Sequence, residues 1–322
     1  MGETMREIQI QKDNKGQRFD KMLGKYLNEA PKSFLYKMLR KKNITLNGKK
    51  AEGKEILEEG DIVRLFLAEE TIENFRKEQV IQKTSTSLDI LYEDDNVIFI
   101  NKPDNMLTQK AQPADVSLNE HLLSYLSESG FLTNERLSNH RPAACNRLDR
   151  NTSGIVICSK SLAGAQGLQT MLQDRSLHKY YRCIVKGSIT EEQLLKGYLY
   201  KDTKTNKVQI LPKPKADAKP IATRYIPIRQ TNGVTLLEVE LITGRSHQIR
   251  AHLASVGHPI IGDYKYGSKN VNEDYRKKYG VKNQLLHSYR LELPQIEGDL
   301  SYLSGKTITA PEPEVFHKII KD

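Results

Sequence analysis

The chain has 322 residues, of which 38% are hydrophobic, and this length is sufficient for two domains with a substantial core. No apolar run approaches the roughly 20 residues of a membrane-spanning helix, and residues 1–6 lack the apolar core of a signal peptide. The three cysteines lack metal-ligand spacing, so we expect reduced thiols in a cytoplasmic protein that makes no membrane contact.

The net charge of +10 is concentrated near the amino terminus. Residues 10–50 contain 12 lysines or arginines and three acidic residues, whereas the rest of the chain is nearly neutral. A basic patch confined to one small region is typical of proteins that bind a phosphate backbone.

The first elements predict a compact module of two helices and a small sheet. Apolar residues at helical spacing predict a helix over 17–28, and a second, strongly basic helix follows Pro31. A short strand over 44–46, an Asn-Gly turn and a strand over 62–67 complete the module.

The predicted domain boundaries follow from a change in composition. Residues 68–87 are polar and typical of a linker. We assign a first domain to 1–78, with its core at about 15–68, a linker to 79–87 and a second domain to 88–322.

The second domain is rich in predicted strands. The predicted elements are a hairpin over 88–103, a helix that follows a capping-box pattern at 117–120, a strand over 154–159, a helix over 162–173, a strand over 179–187 and further strands to 242. Many strands with few helices between them favour an α+β fold with a mainly antiparallel mixed sheet.

The most informative motif is Arg-Leu-Asp-Arg-Asn-Thr-Ser-Gly at residues 147–154, directly before an apolar strand. Asp149 lies between Arg147 and Arg150, and nearby cations favour the ionised form of a carboxylate. An anionic carboxylate on a loop anchored by a strand is suited to nucleophilic chemistry. An ordinary surface pair of Asp and Arg at a strand entrance is the alternative.

A second motif, Thr-Gly-Arg-Ser-His-Gln-Ile-Arg, occupies residues 243–250. It predicts a strand end followed by a helix that Ser246 caps, with Arg245 presented at the helix start to pair with a carboxylate or phosphate. His247, Arg250 and His252 either face RNA or are structural. The spacing of the histidines does not fit a metal site on one helical face.

With both motifs in place, the chain resembles the RluA family of pseudouridine synthases, in particular members with an N-terminal S4 RNA-binding domain. Besides the two motifs, the similarity rests on the segments at 90–94 and 101–103, Lys-Tyr-Tyr at 179–181, Leu-Leu-His-Ser-Tyr-Arg-Leu at 285–291 and Thr-Ala-Pro at 309–311. The similarity of the first module to the S4 domain includes Arg-Phe-Asp-Lys at 18–21 and Lys-Asn-Ile-Thr-Leu-Asn-Gly-Lys at 42–49.

The resemblance implies isomerisation of uridine to pseudouridine in large-subunit (23S) ribosomal RNA, with base flipping and without a metal or cofactor. It assigns Asp149 as the catalytic residue, Tyr181 as the active-site tyrosine and Arg245 as the arginine that pairs with the aspartate. We expect a monomer whose partner is a structured loop or helix junction of ribosomal RNA.

The resemblance also implies residues that bind the substrate. For the uridine and its surroundings these are Asn146, Arg147, His247, Arg250 and Leu286. For RNA binding by the first module they are Lys32, Ser33, Lys37, Arg40, Lys41, Lys42, Asn47 and Lys49. Asn146 departs from the family pattern, which usually has histidine at this position.

Several alternatives remain open at this point. The substrate could be transfer RNA, although the basic first module favours ribosomal RNA. Asn146 is the single feature that supports a non-catalytic assembly factor on the same scaffold. The sequence does not decide whether Asp149 attacks the ribose or the uracil.

Overall fold

A computed structural model describes residues 5–11, 14–77, 80–85, 87–202 and 207–321. The predicted boundary between residues 78 and 79 lies outside these ranges. None of the helices in the described ranges is long and apolar enough to cross a membrane.

The amino-terminal unit is built on a small sheet with the strand order β1-β4-β2-β3. Its elements are β1 (Met5–Gln9), α1 (Phe19–Tyr26), α2 (Lys32–Arg40), β2 (Ile44–Leu46), β3 (Lys49–Lys50), β4 (Ile62–Phe66) and α3 (Glu69–Phe75). Phe19 and Leu23 of α1 pack with Leu39 of α2 in a core of their own, so the apolar spacing that predicted both helices is the face they bury.

Part of the polar stretch that we interpreted as a linker is helical. α3 occupies residues 69–75 and buries Ile72 completely in the core of the amino-terminal unit. Phe75 packs on Phe34 with ring centroids 4.7 Å apart. α3 therefore packs with the amino-terminal unit, because two apolar side chains are enough to dock this short polar segment.

The carboxy-terminal unit contains the large sheet. Its elements are β5 (Ile90–Glu93), β6 (Val97–Lys102), α4 (Leu118–Glu128), α5 (Asn134–Asn139), β7 (Ala143–Ala144), β8 (Ser153–Ser159), α6 (Leu162–Gln173), β9 (His178–Lys186), β10 (Gln193–Asp202), β11 (Lys207–Leu211), β12 (Lys219–Thr231), β13 (Val234–Glu240), α7 (Gln248–Ser255), α8 (Lys269–Tyr279), β14 (Leu286–Glu292), a 3-10 helix (Gly298–Leu303), β15 (Thr307–Thr309) and α9 (Glu314–Lys321). The strand order is β11-β10-β12-β13-β9-β14-β8-β6-β5, with β15 paired to β14 and β7 paired to β8. Among the described strand pairs only β8 and β14 run parallel, so the predicted α+β class with a mainly antiparallel mixed sheet is confirmed.

The junction between β8 and β14 requires a glycine. Gly154 has φ +104°, and a Cβ at this position would lie 2.2 Å from the carbonyl oxygen of Ser288. Ser288 of β14 also pairs with Tyr181 of the neighbouring strand β9. The loop that carries Asp149, which ends where β8 begins, is therefore attached to the strand next to Tyr181.

Within the described ranges, two hydrogen bonds join the units. The Lys25 ammonium of α1 donates to the backbone carbonyl of Asn139 at 2.6 Å, and the Gln166 amide of α6 donates to the carbonyl of Gly16 at 3.1 Å. Burial lowers the pKa of Lys25 from its ordinary value. The amino-terminal unit is thus docked on α5 and α6 of the carboxy-terminal unit.

Candidate active site

Asp149 is held by an arginine of α7. Nη1 of Arg250 donates to Oδ2 of Asp149 at 2.8 Å, and the Asp149 side chain keeps 30% of its exposure. The carboxylate is therefore ion-paired and still open to a substrate. The alternative of an ordinary surface pair with a flanking arginine does not hold, because the partner comes from a helix 101 residues further along the chain.

The assignment of Arg245 as the partner of Asp149 was wrong. Arg245 is exposed, and its backbone N–H donates to Oε1 of Gln248 at 3.2 Å. Within the described ranges its guanidinium forms no ion pair with Asp149. The helix begins one residue later than predicted, with His247 instead of Ser246 as its N-cap, and Arg250 is one of its buried residues.

Asp263 fixes the direction of the Arg250 guanidinium. It is fully buried and accepts from Nε at 2.7 Å and from Nη2 at 3.0 Å. The backbone N–H groups of Lys265 and Tyr266 also donate to Oδ1 of Asp263. Although burial opposes the charge on Arg250, Asp263 and Asp149 raise its pKa above the ordinary value, so this guanidinium is a permanent cation.

Tyr181 lies on β9 with only 6% of its surface exposed. Burial raises the pKa of Tyr181 to about 12, and the charge of Asp149 contributes in the same direction. The phenol is consequently protonated at neutral pH and is a hydrogen-bond donor there, not a base. The electrostatic influence of Asp149 on this hydroxyl shows that the two side chains share one region.

The side chain of Lys102 is hydrogen-bonded to three backbone carbonyls near Asp149. It is fully buried at the end of β6, and its ammonium donates to the carbonyls of Pro103 at 2.8 Å, Met106 at 2.9 Å and Arg150 at 3.2 Å. Burial lowers the pKa of Lys102 to about 8. Because one of its acceptors is the residue after Asp149, this lysine helps to position the loop that carries Asp149.

His247, directly before α7, is close to Asp149. Its Nε2 lies 3.9 Å from Oδ2 of Asp149, and its Nδ1 lies 2.8 Å from the hydroxyl of Tyr266. Burial lowers the pKa of His247, although the charge of Asp149 opposes this shift. His252, by contrast, is a core residue that hydrogen-bonds to Thr223 at 3.0 Å.

The remaining residues predicted at the uridine have different surroundings. Oδ1 of Asn146 accepts the backbone N–H of Ile157 at 2.8 Å, so this side chain supports the start of the loop. Arg147 is exposed. Leu286 on β14 is buried and lines a cavity of about 580 Å³, which Lys102 and His287 also line but Asp149 does not.

The residues predicted to bind RNA lie on one exposed part of the amino-terminal unit. All eight are exposed, on α2, on the turn that follows it or on the β2–β3 hairpin: Lys32, Ser33, Lys37, Arg40, Lys41, Lys42, Asn47 and Lys49. The amide of Asn47 is already bonded to Asp61 and to the backbone N–H of Ile62, so it shapes the hairpin. The lysines and Arg40 form the charged surface.

Sequence reasoning missed Lys102, Asp263 and Tyr266 as site residues. Lys102 stands in Asn-Lys-Pro at 101–103, which carried part of the family resemblance, whereas Asp263 follows Ile-Ile-Gly at 260–262, outside those segments. A charged residue next to apolar residues is the signal that could have marked both. Tyr266 had no such signal, since a tyrosine in a loop is compatible with many roles.

Comparison with known proteins identifies the family. The sequence profile described as RNA pseudouridylate synthase matches residues 96–255. A protein of Vibrio cholerae named ribosomal large subunit pseudouridine synthase C is 30% identical over 292 residues, covering 88% of this chain and 87% of the relative. Proteins of the same name from Vibrio vulnificus and Escherichia coli are each 29% identical and cover 98% and 90% of this chain, and 95% and 88% of their own lengths. The chain belongs to the RNA pseudouridylate synthase family.

Solved structures agree at the level of the fold. Human RNA pseudouridylate synthase domain containing 4 is 22% identical, with a TM-score of 0.57, 71% of this chain covered and 90% of that chain. Human RNA pseudouridylate synthase domain containing 1 is 20% identical, with a TM-score of 0.55 and coverage of 72% and 87%. As a member of this family, the protein is an isomerase that acts on RNA.

Proposed function

We propose that this protein converts uridine to pseudouridine in large-subunit (23S) ribosomal RNA, with Asp149 as the catalytic residue. The observation that carries the proposal is the ion pair of Asp149 with Arg250, set beside the buried Tyr181 on a synthase scaffold. The name shared by relatives that match 88 to 98% of the chain supports the ribosomal substrate over transfer RNA.

Asp149 supplies the negative charge that the reaction needs. The C–N glycosidic bond of uridine breaks, the uracil turns and a C–C bond forms, and an anionic carboxylate either attacks the substrate or stabilises cationic character at the ribose. Arg250 keeps the carboxylate oriented through Nη1 alone, so Oδ1 of Asp149 is available to the substrate.

Tyr181 provides one wall for the uracil. Its ring can stack on the base, and its protonated hydroxyl can donate to an oxygen or hand on a proton without ever becoming a phenolate at neutral pH. Arg147 is exposed beside the catalytic loop, where a planar guanidinium can occupy the gap that an extruded base leaves in the RNA stack.

The amino-terminal unit acts in this proposal as an S4-like RNA-binding domain at 1–78, joined through 79–87 to a catalytic domain at 88–322. Lysines and Arg40 on α2 and the neighbouring hairpin contact phosphates without reading sequence. Base flipping costs a few kcal/mol, less in a loop than in a duplex, which favours a structured loop as the target.

The proposal is tested by replacing Asp149 with Asn and mapping pseudouridine in ribosomal and transfer RNA from a strain that lacks the gene. The wild-type gene should restore pseudouridine at one or more positions of 23S RNA, and the Asp149→Asn gene should restore none while its product stays folded. Restoration by the Asn variant would remove Asp149 from the mechanism, and restoration in transfer RNA alone would overturn the ribosomal substrate. A gene that restores no pseudouridine yet corrects a subunit-assembly defect would favour the assembly factor.

A further inference from the structure

His247 combines an unusual backbone with a position next to the catalytic carboxylate. Its φ of 54° and ψ of 18° lie in the left-handed region, which non-glycine residues seldom adopt, directly before α7. Strained backbone of this kind is maintained where the surrounding structure requires it and is frequent at functional sites. Its imidazole lies between Tyr266 on one side and Asp149 on the other.

The hydrogen bonds around Tyr266 determine which nitrogen of His247 carries the proton. The Tyr266 oxygen accepts the backbone N–H of Val208 of β11 at 3.2 Å. It lies 2.8 Å from Nδ1 of His247, and in the described part of the chain no other acceptor is bonded to the Tyr266 hydroxyl. Nδ1 is thus the acceptor that the described residues offer to the hydroxyl hydrogen, and donation to Nδ1 leaves the Tyr266 oxygen free to accept from Val208. Nδ1 is then the acceptor and Nε2 carries the hydrogen.

Among the described residues, the Nε2–H group of His247 has no partner at bonding distance on the side of Asp149. The separation of 3.9 Å from Oδ2 of Asp149 exceeds a hydrogen bond, and it leaves the donor next to the carboxylate that reacts. A substrate oxygen that lies against Asp149 comes within reach of this donor.

We propose that Tyr266 is a positioning residue that fixes the Nε2–H tautomer of His247, and that the neutral imidazole donates a hydrogen bond to an oxygen of the uridine that reacts at Asp149. The inference rests on the proposed function and adds to it a neutral donor fixed by a second side chain. Because Val208 belongs to β11, the same relay connects the β10–β11 hairpin to the reaction centre.

Burial has the largest effect on His247 and lowers its pKa. Asp149 and Asp263 favour the imidazolium, whereas Arg250 and Lys265 disfavour it. The donor is therefore a neutral imidazole at neutral pH, and its donation does not depend on uptake of a proton.

The tautomer is measured directly by long-range proton–nitrogen NMR of the full-length protein labelled with nitrogen-15 in histidine, without RNA. The wild-type protein should show His247 in the Nε2–H form, and Tyr266→Phe should give a mixture of both tautomers. A wild-type Nδ1–H form, or a Tyr266→Phe variant with unchanged His247 signals, would overturn the role of Tyr266. Tyr264→Phe is the matched control, because Tyr264 is exposed and bonds to Glu273.

The donor role is measured by single-turnover formation of pseudouridine on ribosomal RNA, with RNA affinity determined separately. Tyr266→Phe should lower the rate about threefold to tenfold, as expected for one hydrogen bond, with unchanged affinity. A glutamine amide can replace the Nε2 donor, whereas asparagine is too short to do so. His247→Gln should thus stay within about tenfold of the wild type, and His247→Asn should lose about a hundredfold.

The relative rates of the two His247 variants distinguish hydrogen-bond donation from a purely structural role. Asparagine adopts the left-handed conformation more readily than glutamine, so a backbone role alone predicts that the Asn variant is the more active. That order, or equal rates, would overturn the donor role. A wild-type protein that forms no pseudouridine while His247 shows the Nε2–H tautomer would overturn the proposed function and the substrate contact, but would leave the tautomer assignment confirmed.

Discussion

The buried carboxylate of Asp263 binds both Nε and Nη2 of Arg250, so that only Nη1 reaches Asp149. The fork geometry of a guanidinium makes this division possible, whereas a lysine ammonium has neither the planarity nor the number of fixed donors. The ion pair of Arg250 with Asp149 therefore depends on a second carboxylate, which is fully buried.

Replacement of Arg250 by Lys is expected to lower the rate of pseudouridine formation by more than about a hundredfold, because Asp149 loses its oriented partner. It should also destabilise the protein by about 3 to 5 kcal/mol, since Asp263 is left buried without its bidentate partner. Single-turnover kinetics and denaturant unfolding measure the two effects separately. Arg245→Lys should change neither, because Arg245 is exposed, and a larger rate loss at 245 than at 250 would contradict the pairing described here.

Lys102 predicts a pH dependence of stability. Its pKa falls from 10.5 in the unfolded chain to about 8 in the folded protein, so between these values the unfolded chain binds more protons. The free energy of unfolding contributed by Lys102 should accordingly rise with pH from about 8 to 10.5, by an amount on the order of 3 kcal/mol.

Denaturant unfolding of the wild type and of Lys102→Met at pH 7.5 and 10 measures this contribution. The wild type should gain stability relative to the variant at the higher pH. Lys102→Met should also lower the rate of pseudouridine formation at constant RNA affinity, since the carbonyl of Arg150 loses its support. A stability difference that is the same at both pH values would refute the lowered pKa.

The basic surface of α2 predicts a salt dependence of RNA binding. Simultaneous replacement of Lys37, Arg40 and Lys41 by Gln should weaken RNA binding and reduce the slope of log affinity against log salt by about 2, as expected when up to three phosphate contacts are lost. The matched control replaces Lys269, Lys277 and Lys318, which are exposed on α8 and α9, and should leave the slope unchanged. Equal slopes in the two triple variants would show that the amino-terminal unit does not bind the RNA backbone.

Much of the fold follows from local pattern. The helix predicted over 162–173 is observed at those residues as α6, and the capping box at Ser117 and Glu120 starts α4 as its spacing indicates. Each depends on side chains close together in the chain, which is the information that a sequence displays most directly.

The parts of the site that were missed depend on distant contacts. Arg245 and Arg250 are two arginines of one motif, and the sequence does not show which of them pairs with Asp149. The pairing depends on where α7 begins, and α7 begins after His247, whose left-handed backbone no sequence pattern predicted. Arg250 of α7 is hydrogen-bonded to Asp263 in a loop. The ammonium of Lys102, at the end of β6, is hydrogen-bonded to the carbonyl of Arg150, which lies 48 residues later in the chain. These side chains differ from their neighbours in how deeply they are buried and in which way they point, and not in residue type.

Gly154, which has no side chain, has a consequence for the whole enzyme. Since even the smallest side chain there would meet the carbonyl of Ser288 at 2.2 Å, the two halves of the catalytic sheet can join only through a glycine. We expect an alanine at this position to force the parallel strands apart and to shift the loop of Asp149 relative to Tyr181, so that pseudouridine formation would be lost although every polar residue were still present.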